Sequence, residues 1–183
     1  MKKSDFLPIV KDMSNKLLRD RIIYIKGDIT YESSTLTVAQ LLYLDAKDDA
    51  PISIYINSLG GSVSGAFSII DTMQLIGCPC YTLGIGEVAS SAALILVSGE
   101  RKFRALLPNT QLLIHQPLGS VRGQQSDIEI GANQIKKVRT KIANLISKNS
   151  NLTIDEVDRA IERDCYVSPN EAVELGLIDR VYR

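Results

Sequence analysis

A mainly parallel α/β sheet is the fold class this sequence predicts, on two observations. Three strand-then-helix repeats follow one another within roughly 90 residues, the spacing of right-handed parallel crossovers. Each predicted strand also stops at glycine or charge before its helix begins, as at Lys26-Gly27-Asp28 and Gly60-Gly61.

The elements follow in chain order. Residues 1–20 read as a short amphipathic lead, and Arg21-Ile22-Ile23-Tyr24-Ile25 as a β-branched strand. Ser33, Ser34 and Thr35 offer N-caps to a helix whose apolar face would be Leu36, Ala39, Leu42 and Tyr43. Ile52 to Ile56 is a second strand, Asn57 to Gly61 a turn, and Val63 to Ile76 a second helix. Cys80 to Ile85 is a third, buried strand, after which small residues lead into the apolar stretch Ala89 to Val97. Leu112 to His115 is a short strand, followed by a helix over about 124–149 with a stripe of Ile128, Ile135, Val138, Ile142 and Leu145. A helix of ~25 residues extends ~38 Å, more than so small a domain covers, so it is expected to protrude and meet another subunit. Thr153 and Ser168 cap two further helices, and Ile178 to Tyr182 makes a last strand.

A chain of 183 residues suits one domain, here 21–183 after the lead. With 45% hydrophobic and 23% charged residues its composition is that of a globular protein. Twenty-one basic side chains balance twenty-one acidic ones, which argues against nucleic acid or an anionic membrane as partner. Charges after Met1-Lys2-Lys3 interrupt any secretory signal, and no apolar run reaches the ~20 residues of a membrane span. Three cysteines, Cys78, Cys80 and Cys165, form no disulfide framework and make a poor zinc site beside a single histidine; a cytoplasmic location is expected.

That single histidine, His115, narrows the chemistry, because any Ser-His or Cys-His mechanism must use it. It ends an apolar strand before Gln116-Pro117; a partly buried structural role is the other reading. A serine candidate comes from Gly84 to Ala93, where a strand passes through glycines into a helix of small residues. Ser90 there lies near exposed N–H groups able to hold an oxyanion, or else Ser90 or Ser91 simply caps the helix. The pair Gly60-Gly61 permits positive φ and close approach of a ligand, or serves an ordinary turn. In parallel sheets the carboxyl ends of neighbouring strands share one crevice, so Gly61 and Ser90 are expected side by side.

Four blocks of this sequence resemble the ClpP peptidases: Tyr55 to Gly61, Gly86 to Ala93, Leu107-Pro108-Asn109 with Ile114 to Gly119, and Glu162-Arg163-Asp164. They stand in order and in register from the second strand to the C-terminus. The resemblance implies a crotonase-like α/β fold of repeated β-β-α and βαβ units with a protruding handle helix, assembled as two stacked heptameric rings. It implies Ser90 as nucleophile, His115 as base and later acid, and Asp164 as the group orienting the imidazole. Asp164 would otherwise read as a solvated helix end. The oxyanion donors would be the backbone N–H groups of Gly61 and Ser91. Unfolded substrate would lie as an added strand between Gly61-Ser62-Val63 and Pro117-Leu118-Gly119. Gln124, Asp127, Glu129 and Arg163 would serve contact between rings. No metal or small cofactor is implied for this chain; ATP would be used by a hexameric unfoldase of the ClpX, ClpA or ClpC type.

The sequence departs from the family's pattern at Leu59, in place of proline, and at Val88, in place of alanine, both expected near the oxyanion hole. In the pocket for the unfoldase, Tyr55 and Leu75 fit, while Ser53 and Ala105 stand where aromatic residues are usual. The expected function is the proteolytic subunit of an ATP-dependent Clp protease. The alternatives are a weakly active or regulatory paralogue working in a mixed ring with a second ClpP, and an acyl-CoA enzyme of the crotonase superfamily.

Overall fold

In the computed structural model, which describes residues 14–182, strand β1 (Ile22–Lys26) pairs in parallel with β2 (Ile52–Ser58), and β2 in parallel with β3 (Cys80–Ala89). Most of the expected axial lead, residues 1–13, lies outside the described residues. The path continues through β4 (Arg104–Leu106) to β7 (Arg180–Val181), again in parallel. Among the described residues one pairing runs the other way, that of β5 (Gln111–Ile114), itself parallel to β3, with β6 (Cys165–Val167). The fold is therefore mixed α/β with a mostly parallel sheet. The short strands β4 and β6 have no counterpart in the sequence reading, because runs of three residues carry no periodicity.

Strand β2 alternates strictly, with Ile52, Ile54 and Ile56 fully buried and the residues between them half-exposed. Helix α1 (Tyr31–Asp45) differs from expectation at its start and in its face. Ile29 bridges Gly61, which keeps the chain extended there, so the cap is Thr30 rather than Ser33, Ser34 or Thr35. Ser33 instead closes the capping box, accepting from the Thr30 N–H at 2.9 Å while its own N–H donates to Thr30 Oγ1. The buried face is Ser34, Thr37, Leu41 and Leu44, whereas Leu36, Leu42 and Tyr43 are exposed. A small side chain is needed at Ser34 because α2 (Val63–Leu75) comes close: a Cβ on Gly65 would stand 3.0 Å from Ser34 Oγ.

Helix α3 (Ser91–Val97) is buried on every side, as an apolar helix without a polar face must be. Its Leu94, Ile95, Leu96 and Val97 each contribute about 1.5–3 kcal/mol by leaving water. Helix α4 (Gln125–Lys148) buries only Ile142, Ala143 and Ile146, and its N-terminal half stands largely in solvent. Ile128, expected on the packed stripe, is exposed. Helices α5 (Ile154–Ala160) and α6 (Pro169–Glu174) start at the predicted caps, with Glu156 and Glu171 returning to the N–H groups of Thr153 and Ser168 at 2.8 Å. Among the described residues no helix is long and apolar enough to cross a membrane.

One buried charge joins these layers. Arg104, 3% exposed, donates from Nε to Asp179 Oδ2 at 3.0 Å and from a terminal nitrogen to Asp179 Oδ1 at 2.7 Å. Its other terminal nitrogen donates to the carbonyls of Val97 and Asn149, which end α3 and α4. Partial burial pushes the Asp179 carboxyl up, but the side-chain and backbone hydrogen bonds from Arg104 outweigh it and hold the group below its ordinary 3.8. A depressed carboxyl stabilises the fold above its unfolded value and loses that contribution as pH falls through the folded one. Asp179→Asn should thus lower unfolding stability at pH 7 by about 3 kcal/mol, because the buried guanidinium loses its counter-charge. Urea midpoints measured from pH 6 to pH 3 should fall less steeply in the variant than in the wild type.

Candidate active site

Strand β3 places the serine segment by serving two partners of the one sheet in succession. Its first half, Thr82 to Gly84, pairs with β4, and its last residues, Glu87 to Ala89, pair with β5. Between them Gly86 takes φ +71° against the Asn57 side chain, whose Oδ1 accepts from the Glu87 N–H, and the register with β2 shifts between Ile56 and Ser58. The strand then ends at Ser90, with φ 56° and ψ −125°, before α3 begins at once. A non-glycine residue in that region carries about 1–3 kcal/mol of strain and persists only where its surroundings impose it. Here they do: the Ser90 N–H donates to Leu113 O of β5 at 2.9 Å, and Ser90 O accepts the first bond of α3 from Ala93 at 3.0 Å.

Ser90 occupies the N-cap position, yet its side chain makes no capping hydrogen bond. Ser90 lines a cleft of about 280 Å³ instead, at a sharp strand-to-helix turn. The Ser91 hydroxyl is buried and without a partner among the described residues. Leu94, Ile114, Ile142 and Ile146 line the apolar depth of the same cleft.

Gly61 and Ser90 lie side by side, as expected of neighbouring parallel strands. Ser58 Oγ accepts from the Gly60 N–H at 3.0 Å, and Gly60 has φ +97°. A Cβ there would stand 2.7 Å from Ala89 O, 2.8 Å from Ser90 Cβ and 3.0 Å from Ser91 N. Gly61, at φ +140°, is held by Ile29, whose N–H donates to Gly60 O and whose carbonyl accepts from Ser62. Among the described residues the N–H groups of Gly61 and Ser91 have no backbone acceptor, and both residues line the cleft. Two unpaired donors beside a serine hydroxyl suit an oxyanion.

His115 is half-buried and lines the same cleft, with Gln116, Pro117 and Leu118. Strand pairing β5 to β6 ends at Ile114 with Cys165, so the next step sets His115 opposite Asp164. Asp164 is exposed and does not line the cleft. Among the described residues no hydrogen bond within 3.5 Å joins the Ser90, His115 and Asp164 side chains. Val63 lines the cleft, while Ser62 caps α2 and Gly119 packs over Ile135 of α4. Leu59 lines it too, at 61% exposure; Val88 is buried in the core and touches Gly84 rather than the cleft.

The remaining candidates lie elsewhere. Gln124, Asp127 and Glu129 are exposed at the start of α4, where Asp127 accepts from the Gln124 N–H, and Arg163 is exposed beside Asp164. A second cavity of about 290 Å³ holds Ser53 and Tyr55 together with Leu83, Phe103, Leu107, Arg180 and Tyr182. Leu75 and Ala105 do not line it: Leu75 is 78% exposed at the end of α2, and Ala105 is buried in β4. Tyr81 stacks on Phe103 there with ring centres 4.0 Å apart, aromatic surface that the sequence reading did not assign. Burial chiefly, then the neighbouring Cys78 and Asp45, pushes the Cys80 thiol up to about 12, so it is inert at neutral pH. Among the described residues no group of three or more His, Cys, Asp or Glu side chains converges as a metal site.

The glycine turn yields a direct comparison. Gly27 also has positive φ, but a Cβ on it meets nothing within 4 Å. Gly27→Ala should therefore cost only the backbone strain, about 1 kcal/mol. Gly60→Ala adds a clash with Ala89 and Ser90 and should cost at least about 2 kcal/mol. Urea unfolding of the two variants in parallel measures the difference.

A strained serine between strand and buried helix, two N–H groups without a backbone acceptor and one histidine thus line one cleft. The family model for Clp protease matches residues 7–183, nearly the whole sequence. The chain belongs to the Clp protease family.

Proposed function

We propose that this chain is the proteolytic subunit of an ATP-dependent Clp protease, a serine endopeptidase that cuts unfolded proteins into small peptides. The observation that carries the reading is the hinge at Ser90, strained and uncapped beside the free N–H groups of Gly61 and Ser91. In this reading Ser90 Oγ attacks the scissile carbonyl while His115 takes its proton, and Gly61 and Ser91 hold the tetrahedral oxyanion. Asp164 orients the imidazole and stabilises its cation. His115 then protonates the leaving amine, and water resolves the acyl-enzyme by the same route.

Substrate lies extended between Gly61-Ser62-Val63 and Pro117-Leu118-Gly119, held mainly through its backbone, with one side chain in the apolar depth of the cleft. Two heptameric rings stack through the exposed half of α4, with Gln124, Asp127, Glu129 and Arg163 at the contact. A hexameric Clp ATPase docks on the surface around Tyr55. There Tyr81, Phe103 and Tyr182 offer the aromatic surface that Ser53 does not. Such a protein works in the cytoplasm.

A second reading is favoured by the absence, among the described residues, of hydrogen bonds joining the three side chains: a regulatory paralogue that becomes aligned only in a mixed ring. A fluorophosphonate separates the two. Labelling of Ser90 in the purified protein, lost in Ser90→Ala and slowed about 10²–10⁴-fold in His115→Ala, supports the first. Labelling only after a second ClpP is added supports the other. No adduct under either condition, or undiminished labelling of His115→Ala, refutes the peptidase reading. Deleting two turns within 128–142 should leave single rings on native mass spectrometry; an unchanged double ring refutes the role given to α4.

A further inference from the structure

The β5–β6 ladder stops one residue short of both His115 and Asp164, so something else must hold that pair in register. Gln116, the next residue on the His115 arm, supplies the first connection. Its backbone N–H donates to Ile161 O at 2.7 Å, and its side-chain Nε2 donates to Glu162 O at 2.9 Å, two residues before Asp164. The free end of that same amide, Oε1, accepts from Arg139 of α4 at 2.8 Å.

Arg139 then ties the junction to the rest of the molecule. The nitrogen that meets Gln116 also stands 2.8 Å from Glu162 Oε2. Its Nε donates to Asp158 Oδ1 at 3.2 Å, and its second terminal nitrogen to Asp158 O at 3.0 Å. One guanidinium thus spans the base arm, the acid arm and α5, and it offsets two carboxylates drawn to the same place. Four contacts in one plane need a fixed fork of donors; a lysine ammonium reaches one or two of them.

Resting on the peptidase reading above, we propose that Arg139 is a positioning residue of the reaction, setting His115 against Asp164 by clamping Gln116 and Glu162 to α4. It touches neither substrate nor nucleophile. Its loss should therefore slow the chemical step and leave substrate binding alone.

The test measures kcat, KM and the rate of fluorophosphonate labelling for Arg139→Ala, Arg139→Lys, Gln116→Ala and the double variant Arg139→Ala/Gln116→Ala, with the mass of the assembly checked for each. Arg139→Ala at wild-type mass should lose about ten- to a hundredfold in kcat and in labelling rate, the scale of a small misplacement of a catalytic group. KM should stay within about twofold, and Arg139→Lys should recover part of the loss. The double variant should be no slower than Arg139→Ala, because both act through one contact. Unchanged kcat and labelling, a loss confined to KM, no recovery by lysine, or multiplied losses in the double variant would each overturn the proposal. Should Arg139→Ala fail to assemble, Gln116→Ala alone decides it, since all ion pairs of Arg139 stay in place: a slower kcat supports the clamp and an unchanged one overturns it. A wild-type protein that never labels marks instead the failure of the Ser90 and His115 roles, on which the clamp depends.

Discussion

One backbone, that of β3, must belong to two pairings, and the site follows from how it changes between them. Parallel strands in one sheet keep a common direction, so a strand can join a second partner only by bending and shifting register. Gly86 supplies the bend by its left-handed conformation, and Asn57 ties down the Glu87 N–H that the shift leaves behind. The strand then arrives at Ser90 already committed to β5 through Leu113, with no room to turn gently into α3. The strain at Ser90 is the consequence. A relaxed N-cap would fold the hydroxyl back onto the helix; this one leaves it in the cleft.

The remainder of the structure steadies that hinge. Helix α3 has no solvent face, so its burial among Ile54, Ile56 and the strands around it resists any shift of Ser91. Gly60 lies so close to Ala89 and Ser90 that a single added carbon would displace them. On the far side Arg104 and Asp179 bind the ends of α3 and α4 to β7, a charge-assisted contact inside an otherwise apolar layer. Preorganised donors act on an oxyanion without reorganising, and a fixed backbone is what makes them preorganised.

His115 and Asp164 are held less tightly than the serine. They extend beyond the last ladder pair of two short strands, on arms joined by the Gln116 N–H to Ile161 O and by side chains rather than by a continued ladder. This division suits a peptidase in which one wall of the cleft is rigid and the other is set by hydrogen bonds to α4. That helix also carries the exposed face at which the rings are proposed to meet. Packing of the 117–123 segment along α4, with Gly119 against Ile135 and Gly131 against Val121, makes the wall proposed to hold substrate and the helix one unit.

The sequence by itself determined the order of the longer strands and helices, the three strand-then-helix repeats that make the sheet parallel, the caps at Thr153 and Ser168, and the family, through four blocks in register. It singled out His115 by uniqueness and Ser90 by its place between glycines and a small-residue helix. These are local properties: periodicity, turn chemistry and capping act within a few residues. Tertiary structure alone decided which face of α1 is buried: Leu36, Leu42 and Tyr43 read as a core stripe, whereas Leu41 and Leu44 fill the core and Ser34 stands where Gly65 of α2 comes close. It decided that Val88 belongs to the core and Leu59 to the cleft, and that Phe103 and Tyr81 stack beside Tyr55. It also decided the position of Asp164 across from His115 and the contacts of Arg139 and Arg104. Each of those joins residues far apart in the chain, and such pairings come from strand register and burial, to which short-range pattern is blind.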